Sequence, residues 1–134
     1  MAPRRFECIV AVVDDEDAVR RALARLIRSL GFEAETYSCG EDFLASLSRR
    51  PPACVVLDLH MPKMNGFDVQ NRMAETGLEI PTIVITGHDS PETHARALKG
   101  GASAYLRKPL DQQTLMDAIQ HAVGAPNGNG SSAL

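Results

Sequence analysis

No apolar run in the 134-residue chain approaches the length of a membrane span, roughly 20 residues, so the sequence offers no helical transmembrane segment. Aromatic residues make up only 4% of the chain, and no cluster of lysine and arginine is interleaved with them. With a net charge of −3, this excludes a protein built to coat nucleic acid and argues against direct nucleic-acid binding. Cysteine is scarce: Cys8, Cys39 and Cys54 show no metal-ligand spacing, and no pair of histidines is placed as zinc ligands. Cys8 and Cys54 lie inside apolar runs, as buried reduced thiols of a cytoplasmic protein do. The basic start, Met1-Ala2-Pro3-Arg4-Arg5-Phe6, leads into an apolar run that meets Asp14-Asp15 too soon for a signal peptide. There is no internal repeat.

What the chain does have is an ordinary globular composition, 44% apolar and 23% charged, in a length that suits one domain. The organisation expected is an N-terminal extension over 1–6, a domain over 7–124 and a flexible, polar tail over 125–134. Three runs read as buried strands: Cys8 to Val13, the apolar Val55 to Leu57 that ends abruptly in Asp58, and Pro81 to Ile85. Phe32 to Tyr37 alternates like an edge strand, and Ala104-Tyr105-Leu106 is a last short one. Between them lie helical patterns. Ala18, Val19, Ala22, Leu23, Leu26, Ile27 and Leu30 form one stripe, with Gly31 as its stop and Arg20, Arg21, Arg25 and Arg28 off it. Ser38 and Glu41 match a capping box for a helix from about Cys39 to Ser48. Asn65-Gly66 is turn chemistry before a short helix ending near Gly77. Ser90-Pro91 opens a helix with only Ala95, Ala97 and Leu98 to bury, and Asp111 caps a final helix with Leu115, Met116, Ile119, Ala122 and Val123 inside. Five strands alternating with five helices predict an α/β, doubly wound, five-stranded parallel sheet.

Four of the five strands then stop at a polar residue: Asp14 and Asp15 after the first, Asp58 after the third, Thr86 after the fourth, and Lys108 after the fifth. In such sheets the carboxyl ends of the strands are where ligands sit. Taken singly, Asp58 is either a loop cap or a working residue, and Asp14 either a helix cap or a ligand. Their joint placement at successive strand ends is what the cap reading does not predict. Three carboxylates brought together repel unless a cation joins them, and an all-oxygen set of this size suits Mg²⁺. Lys108 adds a positive charge and Thr86 a hydroxyl donor, which together could neutralise a phosphoryl group passing to an aspartate nucleophile.

With Val12-Val13-Asp14-Asp15-Glu16, Val56-Leu57-Asp58-Leu59-His60-Met61-Pro62, Asn65-Gly66, Ile85-Thr86-Gly87 and Lys108-Pro109 in view, the chain resembles the receiver domains of bacterial two-component response regulators over residues 8–123. The resemblance implies a flavodoxin-like sheet of strand order 2-1-3-4-5. It implies that Asp58 accepts a phosphoryl group from a sensor histidine kinase or histidine phosphotransfer protein. Asp14, Asp15, Asp58 and the backbone carbonyl of His60 would hold Mg²⁺, and Thr86 and Lys108 would contact the phosphoryl group. Tyr105 would be an aromatic switch turning inward with Thr86, and the Lys108-Pro109 bond would be cis. The Ile85-Thr86-Gly87-His88 stretch looks most like the nitrogen-fixation and LuxR-type transcriptional regulators. Phosphorylation would then reshape the face made by the fourth helix, fifth strand and fifth helix, for a downstream protein partner or a homodimer. His60 and His88 flank the site and could tune phosphate lifetime, whereas His94 and His121 read as surface residues.

Nothing after Gly124 in this sequence could form a helix-turn-helix, so the chain reads as a stand-alone receiver, a phosphate sink for a shared kinase, or a piece of a longer regulator. A phosphatase of the haloacid-dehalogenase type also uses an aspartate after a parallel strand. Those sites look for a second aspartate two positions on, where this chain has His60. The expected role is therefore regulatory rather than enzymatic.

Overall fold

The computed structural model describes residues 8–124, so the expected 1–6 extension and 125–134 tail lie outside the described residues. Its elements alternate as β1 (Ile9–Val13), α1 (Asp17–Ser29), β2 (Glu33–Tyr37), α2 (Gly40–Ser46), β3 (Cys54–Asp58), α3 (Gly66–Thr76), β4 (Thr82–Thr86), α4 (Pro91–Lys99), β5 (Ala104–Arg107) and α5 (Gln112–Gly124). The strands form one parallel sheet in the order β2-β1-β3-β4-β5. No helix among the described residues is long and apolar enough to cross a membrane.

Residue parity along the strands builds the two layers. Val10 and Val12 of β1, Cys54 and Val56 of β3, and Ile83 and Ile85 of β4 face Leu23, Ala24 and Ile27 of α1 and Leu115 and Ile119 of α5. Their neighbours Ala11, Val13, Val55 and Leu57 face Phe43 of α2 and Val69 and Met73 of α3, while Val84 meets Ala97 of α4. Every residue of β1, β3 and β4 is buried, which is why these strands read as unbroken apolar runs. The edge strands β2 and β5 are only partly covered.

Two local expectations give way to tertiary packing. The Ser38–Glu41 box does not form: α2 starts at Gly40 with Cys39 as N-cap and no side-chain cap bond, and it ends at Ser46. Gly40 is pressed into the α2–α3 contact, where a Cβ would lie 2.5 Å from Val69 Cγ2, so the helix start follows that packing. The reciprocal box sits instead at α3, where Asn65 Oδ1 accepts from the Asp68 amide at 2.9 Å and Asp68 Oδ2 accepts from the Asn65 amide at 3.0 Å. That cap, with the left-handed Gly77 (φ 78°) closing the far end, bounds an 11-residue helix that stops where the sequence placed its end. Finally, α1 is rotated from the expected stripe. Ala24 is buried with Leu23, Ile27 and Leu30, while Ala18 and Ala22 stay exposed in a groove beside Pro109 and Leu110.

The expected ends of α4 and α5 are present: Ser90 Oγ accepts from the Thr93 amide at 3.0 Å ahead of Pro91, and Asp111 Oδ2 accepts from the Thr114 amide at 2.9 Å. Of α4 only Ala97 is buried; Leu98 is 49% exposed. The second tie of this helix is lateral, from Gln70 Nε2 of α3 to the Ala97 carbonyl at 3.0 Å.

Candidate functional site

The carboxyl edge of the sheet gathers the polar strand ends. Asp14 follows β1 and Asp58 ends β3. Both are buried, at 0% and 2% exposure, because each continues an apolar strand to its last covered position. One oxygen from each of Asp14, Asp15 and Asp58 falls within 4.8 Å of the others. Lys108, just past β5, reaches across two strands. Its Nζ lies 3.1 Å from Asp14 Oδ2, 3.3 Å from Glu16 Oε1 and 3.4 Å from Asp58 Oδ1. The Lys108-Pro109 bond is cis. The loop after β1 is drawn tight by the Glu16 amide donating to Asp14 Oδ1 at 2.9 Å, and by the Arg20 guanidinium donating to the Asp14 carbonyl at 2.7 Å.

The electrostatics follow from burial. Desolvation, then the charge of Asp14, pushes the Asp58 carboxyl up to about 6 against the pull of Lys108 and the His60 amide. Burial works against the Lys108 charge, but its hydrogen bond to Asp14 and the charges of Asp58 and Asp14 more than offset this, and its pKa is raised. Burial, with the charges of His88 and Lys108, lowers the pKa of His60.

Thr86 closes β4 with no exposed surface, beside Asp58 by register, since Asp58 pairs with Ile85. Its hydroxyl accepts from the His88 amide at 3.0 Å and lies 3.2 Å from His60 Nδ1. Tyr105 is held elsewhere. Its hydroxyl donates to Asp89 Oδ1 at 2.7 Å and its ring stacks on His94, with centroids 4.5 Å apart. Burial and the bond to Asp89 push its phenol up to about 12.

Of the residues singled out in the sequence, the fold therefore brings together Asp14, Asp15, Asp58 and Lys108, with Thr86 and His60 adjoining. Tyr105 belongs to a separate cluster on the fourth helix and its preceding loop. Sequence reasoning missed Glu16 as a Lys108 partner and Asp89 and His94 as partners of Tyr105. The only trace of Glu16 was its membership of the acidic run that follows β1. The donor set is all oxygen, with three carboxylates around one lysine, and fits a hard divalent cation such as Mg²⁺ rather than a thiophilic metal.

A doubly wound parallel sheet in this order, with a carboxylate cluster and a lysine at its carboxyl edge, defines the class: an α/β protein of flavodoxin-like topology whose candidate site lies at that edge. The chain matches the response regulator receiver domain family over residues 10–120, and it belongs to that family. It is 38% identical over 117 residues to the response regulator protein TmoT of Ectopseudomonas mendocina, covering 87% of this chain and 53% of that protein. The crystal structure of FixJ-N superposes with a TM-score of 0.83 at 31% identity, covering 97% of this chain and 99% of that one. A response regulator receiver protein from Burkholderia phymatum is similar at 44% identity with a TM-score of 0.77, covering 87% and 95%. The chain spans about half the length of the curated relatives it matches.

Proposed function

We propose that this chain is a phospho-accepting receiver in which Asp58 takes a phosphoryl group from the phosphohistidine of a sensor kinase or phosphotransfer protein. What supports this most is the convergence of Lys108 Nζ on both Asp14 and Asp58, at 3.1 and 3.4 Å, in a buried carboxylate cluster. Mg²⁺ would be held by Asp14, Asp15, Asp58 and the His60 backbone carbonyl, and when bound it neutralises the phosphoryl oxygens. Asp58 is the nucleophile: one oxygen forms the new bond to phosphorus as the phosphorus–nitrogen bond of the donor histidine breaks. The Lys108 ammonium leaves Asp58 for a phosphoryl oxygen, and the Thr86 hydroxyl donates to another. The partner side of the reaction has a surface to use. Ala18, Val19, Ala22 and Leu26 of α1 with Pro109 and Leu110 form an apolar groove beside Lys108, suited to a donor helix.

On this reading Thr86 and Tyr105 turn inward on phosphorylation, and the Tyr105 contacts to Asp89 and His94 break. The α4–β5–α5 face then changes for a downstream partner, an effector domain or a second copy of the chain. On this reading its compartment is the cytoplasm, and its similarity to transcriptional regulators supports an output in gene control. The test is intact mass after incubation with acetyl phosphate. One phosphoryl adduct should form with Mg²⁺ present and none with chelator; a chain that stays unmodified in both overturns the proposal.

Lys108 separates charge balance from catalysis. Lys108→Ala removes the cation that competes with a metal for Asp14 and Asp58, so Mg²⁺ should bind severalfold more tightly in a calorimetric titration. The same variant loses a phosphoryl-oxygen contact, so its acetyl phosphate reaction should slow by about tenfold or more. Equal weakening of both would mean that the substitution merely disorders the site.

A further inference from the structure

We infer that His60 is a positioning residue for this site: its imidazole holds the Thr86 hydroxyl in the resting chain and competes with the phosphoryl group for it. The inference rests on the reading of Asp58 as phosphoacceptor. It starts from register. Asp58 pairs with Ile85, and the Leu59 amide donates to the Ile85 carbonyl at 3.1 Å, so the chain leaves β3 directly over the end of β4. The next side chain, exposed His60, comes down on Thr86, whose own side chain is fully covered. A threonine hydroxyl has one proton and two lone pairs. One lone pair takes the His88 amide at 3.0 Å, and the imidazole Nδ1 sits 3.2 Å away, within reach of the proton or the second lone pair. The holding tautomer carries the ring proton on Nε2, so that Nδ1 accepts the hydroxyl proton and this contact must break before the proton is donated to a phosphoryl oxygen; a proton on Nδ1 would instead fill the second lone pair and leave the hydroxyl free to donate. His88 packs against the ring with centroids 4.3 Å apart and planes inclined at 55°. His88 thus acts on the hydroxyl twice, through its amide and through the ring that backs His60.

The test uses beryllofluoride with saturating Mg²⁺ as the phosphoryl probe, with half-saturation read from amide resonances around Thr86 in proton–nitrogen spectra. His60→Leu should lower the half-saturating concentration by roughly threefold to tenfold, the range of one neutral hydrogen bond. His60→Asn places an amide able to donate or accept near the Nδ1 position, and should stay within about twofold of the parent. In a Thr86→Val background the His60→Leu effect should vanish, because the pair no longer interacts. An unchanged His60→Leu, an Asn variant that tightens as much as the Leu variant, or an effect that survives in Thr86→Val each overturns the positioning role. A parent chain that binds no beryllofluoride removes the Asp58 reading and this inference with it, which sets that failure apart from the others.

Discussion

Asp58→Asn is expected to take up no phosphoryl group from acetyl phosphate and, with divalent cations chelated, to be more stable than the parent at pH 7. The first half follows from removing the nucleophile. The second follows from where that carboxylate is kept. Asp58 is 2% exposed, and burial plus the Asp14 charge push it up to about 6 despite Lys108. An ordinary aspartate in the unfolded chain titrates near 3.8. Between these values the folded chain holds the proton more tightly, so stability is greatest at the acid side and declines as pH rises from about 4 to about 6. Ionising the buried carboxyl rather than an exposed one then costs about 3 kcal/mol with the pull of Lys108 already included, and an asparagine in its place recovers only part of this because its amide is itself a buried polar group. A gain of about 1–2 kcal/mol is therefore expected for the variant in urea unfolding at pH 7, shrinking toward zero near pH 4. Mg²⁺ should erase most of the difference by stabilising the parent, since it binds the folded carboxylates and not the unfolded chain. A phosphoryl adduct on the variant would remove Asp58 from its proposed role. A loss of stability on its replacement would mean that the Lys108 pair outweighs the desolvation.

The same contrast of local pattern against packing decides what could be read from the chain. Asp14, Asp58 and Thr86 stood out because each is a polar residue ending a run that the fold buries completely, and capping bonds such as that of the Glu16 amide to Asp14 do not by themselves account for buried carboxylates at successive strand ends. The doubly wound architecture followed from those runs and the helices between them, whereas the strand order came from the family resemblance. Glu16 was illegible as a Lys108 partner because their contact spans 92 positions, and an exposed acid in an acidic run carries no mark of what will approach it. The Ser38–Glu41 and Asn65–Asp68 pairs have the same spacing, yet only the second forms a box, since Gly40 must sit against Val69. Ala18, Ala22 and Ala24 cannot be ranked by composition, so the rotation of α1 about its axis became visible only against α5. His60, His88 and Asp89, which meet Thr86 and Tyr105, arise from loops after β3 and β4 whose paths no periodicity encodes, and His94 of α4 meets Tyr105 only through the packing of that helix on β5.

Gly66→Ala is expected to be among the most damaging small substitutions in the chain. In the sequence Asn65-Gly66 reads as turn chemistry, which would make backbone freedom the reason for glycine. The structure gives another reason. The left-handed glycines among the described residues are Gly31, Gly77 and Gly101, while Gly66 is the buried first residue of α3. A Cβ there would lie 2.7 Å from the Asp58 carbonyl oxygen, 2.7 Å from Leu59 Cα and 2.8 Å from Leu59 Cδ2. Two of these are backbone atoms that no rotamer change can move, and the Gly66 amide is pinned to the Leu59 carbonyl at 3.0 Å. Alanine would gain about 1 kcal/mol in helix preference, against about 3 kcal/mol for forcing α3 off the end of β3, so the clash wins. The backbone that must shift carries Asp58 itself, so a fall in the acetyl phosphate rate should accompany the lost stability. Gly77→Ala is the matched control. It is strained by φ 78° but meets nothing within 4 Å, so it should cost only about 1 kcal/mol and leave the rate alone. Urea unfolding and adduct formation measured on both variants separate the two causes. A Gly66→Ala chain with the parent's midpoint and rate would show that α3 can retreat freely, and that its contact with the end of β3 does not hold Asp58 in place.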